Sequence, residues 1–162
     1  MRVYIPSTLP LLRELLDSGR IGPAPVGAMT VTAEIREWYL DDDIEALEYA
    51  ALTEAARASL RLVARTSAPA RRVVLACEVA DSWVSPSSDG GRGAVTVTAE
   101  VKLDQIEAAH VDTVDATTDV VDALAALSAA DAGDDDAQFI VDSVEDHELA
   151  WFARQEIPDM LA

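Results

Sequence analysis

The stretch Ser143 to Ile157, closed by Pro158, puts the tightest limit on how this chain can fold. It carries a start signal, an apolar arc and a stop signal, and reads as a closing helix with a short sheet built against it. Ser143 is placed to accept from the N–H groups of the first turn. Glu145 and Asp146 suit the positive end of the helix dipole, and Pro158 disfavours α geometry at Ile157. At about 100° per residue, Val144, Leu149, Trp151 and Phe152 share one arc. Glu148 and Gln155 project into that arc, and His147 sits at its edge. A carboxylate on an apolar face is costly to bury alone. Glu148 is therefore either a structurally paired carboxylate, the preferred reading, or a group that faces a ligand across a cleft.

Upstream, Arg2 to Ile5 reads as a strand, and Thr8 caps a helix with Leu11, Leu12, Leu15 and Leu16 on its stripe, stopped by Gly19. Ile21 to Gly27 is a loop rich in Pro and Gly, followed by a short strand at 28–32. Thr32 caps a helix over 33–40. Asp41-Asp42-Asp43 opens the longest helix, Ile44 to about Ala64, where adjacent carboxylates suit a helix N-terminus better than a metal ion. Arg57, Arg61 and Arg65 form a basic stripe on this helix at helical spacing. They are candidates for an acidic partner, and equally the internal partners of Glu148 or of the aspartate loops, which is preferred.

The β-branched run 72–80 suits a central strand. Residues 94–103 alternate Val95, Val97, Ala99 and Val101 against polar neighbours, and should pair antiparallel with that run. The Gly90-Gly91-Arg92-Gly93 stretch between them reads as a hairpin tip rather than a phosphate loop. A strand over 106–113, a helix with Val120, Val121, Leu124 and Leu127, and a strand over 138–142 form a βαβ crossover, which needs a parallel pair. Asp134-Asp135-Asp136, in between, keeps a loop solvated.

That crossover gathers His110, Asp112 and Asp142 at strand ends, beside His147 and Glu148. Strand ends at such a point are where open sheets bind ligands, and two histidines with carboxylates suit acid–base or metal chemistry. The spacing matches no zinc pattern, and no Gly-x-Ser-x-Gly elbow or cofactor loop is present, so no cofactor is expected.

Charge narrows the choice. Thirty acidic residues against 12 basic ones give a formal net charge of −18, a field that repels phosphate backbones and anionic membranes. Nucleic acid and membrane are therefore not expected partners. No apolar run is long enough for a transmembrane helix. The opening residues read as a strand rather than a signal peptide, which makes the cytoplasm the expected compartment. The single Cys77 excludes an internal disulfide and suits a buried, inert thiol.

Three motifs, Met-Arg-Val-Tyr-Ile-Pro-Ser-Thr-Leu-Pro at the start, Glu-Tyr-Ala-Ala-Leu around Tyr49, and Asp-His-Glu-Leu-Ala-Trp-Phe-Ala-Arg-Gln-Glu-Ile at the end, carry a further reading. Over nearly its whole length the chain resembles a family of small, acidic, uncharacterised proteins of actinobacteria. The resemblance implies a bacterial cytoplasmic protein, assigns no activity and transfers no catalytic residue.

The reading is one α+β domain: a mixed sheet of about five or six strands with helices largely on one face. Two functions follow. One is a non-enzymatic interaction module, using the arginine stripe or the Trp151 and Phe152 face to hold a protein partner or a second copy. The other is a small hydrolase or ligand- or metal-binding protein working around His110, Asp112, His147 and Glu148.

Overall fold

The computed structural model describes residues 1–40 and 42–162. At its centre lie two strands buried on both faces. β1 (Arg2–Ser7) runs antiparallel to β4 (Val73–Glu78) along its full length, from Arg2 opposite Glu78 to Ser7 opposite Val73. β8 (Ile106–Val111) flanks β4, and β9 (Ala150–Ala153) forms the edge beyond it. On the other flank of β1 come β3 (Val26–Met29), β6 (Ala94–Val97) and β5 (Val84–Pro86). The seven-stranded sheet has the order β5-β6-β3-β1-β4-β8-β9, and every pairing in it is antiparallel. β2 (Arg20–Ile21) and β7 (Val101–Lys102) make a separate two-stranded ribbon.

Strands buried on both faces need cover on both sides. α1 (Leu9–Ser18) and the short α6 (Ile157–Leu161) pack on the face carrying Val3, Ile5, Val73 and Leu75. α2 (Ala33–Tyr39) and α3 (Ile44–Thr66) cover the face carrying Tyr4, Val74 and Ala76. α4 (Thr117–Asp131) and α5 (Asp135–Ser143) form a hairpin against the second half of α3, where Leu60 meets Val120 and Leu127. Thr8 and Thr32 cap α1 and α2 as their sequences predict, and Gly19 ends α1 in the left-handed conformation. Asp43 caps α3; Asp41, the first of that triplet, lies outside the described residues.

The α+β class holds, and three parts of the expected topology do not. First, the closing segment is no helix. A 3-10 turn at Val144–Asp146 leads into β9, and Ser143, instead of capping, donates its hydroxyl to the Phe139 carbonyl at 2.7 Å. Trp151 and Phe152, adjacent on a strand, consequently face opposite sides of the sheet. Pro158 is the second residue of α6, where its missing N–H is not needed, and Ile157 before it adopts α geometry, contrary to the expectation. Second, 138–142 is helical, so there is no βαβ crossover and no parallel pair. Asp134 accepts from the Ala137 N–H and puts Asp135 and Asp136 in the first turn of α5, the arrangement a helix dipole favours. Third, the 94–103 strand breaks. Thr98 turns both its N–H (2.8 Å) and its hydroxyl (3.1 Å) onto the Trp83 carbonyl. β6 thus pairs with β3 and β5 rather than with β4, whose two edges are taken by β1 and β8.

Candidate functional site

On the α3 side of the sheet a groove runs between that helix and the β8–β9 edge. Glu45, Glu48, Tyr49 and Leu52, spaced three and four apart, present one face of α3 to it. The opposite wall is a cross-strand pair, His110 on β8 facing Trp151 on β9. Two clefts of about 240 Å³ and 450 Å³ lie on either side of His110 and share Tyr49, Leu52, His110 and Trp151, so they are halves of one groove. Trp151 is 60 % exposed and Tyr49 54 %, which puts two large aromatic surfaces at the opening.

Four of the residues singled out from sequence meet here: His110, His147, Glu148 and Trp151 all line the smaller cleft. His147 is engaged, its Nε2 lying 2.6 Å from Asp119 Oδ2. Glu148 is exposed and pairs with no described residue. The His110 ring makes no hydrogen bond or ion pair with any described residue and is free to face the groove. Asp112 is not free. It is fully buried and clamps Arg72: two guanidinium N–H groups donate to it at 2.9 and 2.7 Å, and the Arg72 backbone N–H at 2.8 Å. Arg72 also donates to the His147 carbonyl at 3.0 Å, which ties the turn before β9 to the core. Asp142 sits on α5 and accepts from Gln138. Phe152 packs half-buried on the far face of the sheet.

The arginine stripe mainly binds the fold together. Arg57 holds Glu54 at 2.8 Å and, bidentately, Glu145 of the 3-10 turn rather than Glu148. Arg61 grips both oxygens of Asp131 at the end of α4, at 2.9 and 2.8 Å. Arg65 has no ion pair or side-chain hydrogen bond with a described residue.

Electrostatically the groove is acidic. Glu45, Glu107 and Glu148 border it and make no ion pair with a described residue. Its two arginines are committed, Arg72 to Asp112 and Arg2 to Glu78 at 3.2 Å and Glu48 at 3.8 Å. Glu48 also accepts from the Tyr4 hydroxyl at 3.2 Å; burial first, then that carboxylate, push the phenol up to about 12. No three His, Cys, Asp or Glu side chains among the described residues are grouped as a metal ion would require. Cys77 is a buried free thiol whose ionisation is suppressed by burial.

Burial pushes the His110 imidazole below its usual value, and the Arg2 cation pushes it the same way. Above about pH 6.5 the ring is neutral in folded and unfolded chains alike. Below that the unfolded chain takes up the proton first, so stability declines as pH falls toward the folded-state value. The melting temperature is expected to drop between pH 7.5 and 5.5, and less so in His110→Gln. Parallel profiles for the two proteins would show that another group sets this limb.

Sequence reasoning did not single out Arg72, Glu48 or Glu107. Arg72 stands at the head of the buried apolar run Val73–Cys77, and a cation there needs a buried counter-charge, a signal that could have paired it with Asp112.

No helix among the described residues is long and apolar enough to cross a membrane. No curated protein and no solved structure matches the chain. One family model does, over residues 1–161, and it takes in every residue of the groove; the chain belongs to that family, a family of unknown function (DUF6912).

Proposed function

We propose that the protein is a non-enzymatic interaction module whose groove holds a positively charged segment of a partner protein. The observation that carries this reading is an aromatic surface, Tyr49 and Trp151, bordered by Glu45, Glu107 and Glu148, which make no ion pair with a described residue. A lysine or arginine over an indole face gains from the ring quadrupole, and nearby carboxylates add charge complementarity. The net charge of −18 supports a cationic partner by steering its approach. The actinobacterial, cytoplasmic setting implied by the sequence resemblance is retained with this reading.

The test is fluorescence anisotropy of short labelled peptides, rich in lysine and arginine or in glutamate, at low and moderate salt. Basic peptides are expected to bind saturably and to weaken with salt. Trp151→Ala should cost about tenfold in affinity, and Glu107→Gln with Glu148→Gln a few-fold. Equal binding of acidic peptides, or no effect of Trp151→Ala, would overturn the proposal.

A second reading, a small hydrolase or ligand-binding site, draws on the convergence of His110, His147 and Glu148 in one cleft. It rests on His110 as the base, since Asp112 is committed to Arg72. Loss of ester hydrolysis in His110→Ala, with Trp151→Ala active, would favour it.

A further inference from the structure

A cavity larger than either half of the groove lies on the other flank of α3. It has a volume of about 810 Å³ and sits between the second half of that helix and the β1–β3–β6 part of the sheet. The backbone opens it. β1 and β3 share the single registered pair Tyr4–Met29, and beyond it Pro6 has no N–H with which to rejoin the neighbouring strand. At the floor stands Gly27, where an added Cβ would meet nothing within 4 Å, although its backbone is ordinary strand. Met29 and Ala94 continue the floor, and Ala58 and Leu62 of α3 supply an apolar wall.

Charge marks one side of this space. Glu54, almost fully buried, is matched by Arg57 and Arg92. Arg61 spends its two terminal nitrogens on Asp131, and its Nε–H bonds to no described residue. Arg65 likewise commits none of its five donors to a described residue. In a chain of net charge −18, the helix side of this cavity presents guanidinium donors that no described residue takes up, beside apolar surface, with Asp89 on the loop side opposite. Cavities of roughly 300–1,000 Å³ suit small molecules.

We infer that this cavity binds an amphiphilic small molecule with one anionic head, such as a medium-chain carboxylate. The alkyl part lies over Gly27 between Ala58 and Met29, and the carboxylate accepts from Arg65 and the Nε–H of Arg61. Guanidinium–carboxylate hydrogen bonds are among the stronger polar contacts, and neither arginine must break a pair with a described residue to make them.

The probe is decanoate, with decanol and decyltrimethylammonium as head-group controls, titrated calorimetrically into the whole protein. Decanoate should bind saturably at one site, ahead of both controls. Arg65→Gln should weaken it about tenfold. Gly27→Leu, which places a side chain in the cavity, should abolish saturable binding while the protein melts cooperatively. If Gly27→Leu does not fold, Ala58→Leu obstructs the same space from the helix and is judged by the same criterion. Absence of saturable decanoate binding, binding unchanged in the obstructing variant, or a cation bound as tightly as the carboxylate would each overturn the inference.

Discussion

Replacing Asp112 with alanine is expected to cost about 3–5 kcal/mol of folding stability, because it strands a buried cation. The Arg72 side chain is 3 % exposed and that of Asp112 not at all. Without the carboxylate, the guanidinium is left with the His147 carbonyl as its one partner among the described residues, and the Arg72 backbone N–H loses its acceptor. In a chain of this size 1 kcal/mol moves the melting temperature by about 2–4 °C, so a thermal melt should fall by about 6–20 °C. A double variant, Arg72→Met with Asp112→Leu, removes both charges and should recover most of that loss, since apolar replacements of buried pairs are often neutral. A double variant as unstable as Asp112→Ala would place the loss in the backbone hydrogen bond instead of the charge.

Gly93→Ala should cost about 2–5 kcal/mol, combining a left-handed backbone with overpacking. Gly93 has φ +77°, and a Cβ there would lie 2.5 Å from Ile35 Cδ1 and 2.9 Å from the Thr30 carbonyl oxygen. Neither neighbour can yield readily. Ile35 is fully buried, and Thr30 is fixed by its N–H bond to the Gly93 carbonyl at 3.0 Å. Gly91 is the control: at φ +92° with nothing near its Cβ position, Gly91→Ala meets only the conformational penalty, about 1–2 kcal/mol. The two are compared by denaturant midpoints at constant slope. Equal losses would show that Ile35 shifts without cost and that its contact does not hold the glycine there.

The parts of this fold that sequence reveals are those governed by local chemistry. Thr8, Thr32 and Gly19 bound helices because a hydroxyl or a left-handed residue satisfies backbone groups regardless of distant packing. The aspartate triplets show the limit. At Asp43 the carboxylate reads correctly as a helix start; at Asp134 the same chemistry starts α5, where a solvated loop is the expectation. What misleads there is the short apolar run Phe139-Ile140-Val141, whose periodicity does not separate strand from helix. The closing segment fails for a tertiary reason. Its apolar residues fit a helical arc, but β8 has a free edge, and hydrogen bonds along that edge place Trp151 beside His110. Of the expected neighbourhood, His110, His147 and Glu148 do line one cleft although the βαβ crossover does not form, whereas Asp142 lies on α5 and Trp151, read only as part of a helical arc, joins them through β9. Asp112 was legible as a titratable residue near a strand end, but its commitment to Arg72 depends on a partner 40 residues away in the chain.

Ser59 on α3 is fully buried, and its hydroxyl stands where β1 and β4 would otherwise bond directly. It donates to the Ser7 carbonyl at 2.8 Å and accepts from the Val73 N–H at 2.9 Å. One rung of the sheet is therefore supplied by a helix. The consequence is mechanical. A sliding or lifting of α3 breaks strand-to-strand linkage as well as side-chain packing, so helix and sheet resist load as one piece. That anchor lies next to Ala58 and two residues before Arg61, so it ties the helix wall of the cavity directly to the strand β1 beneath it.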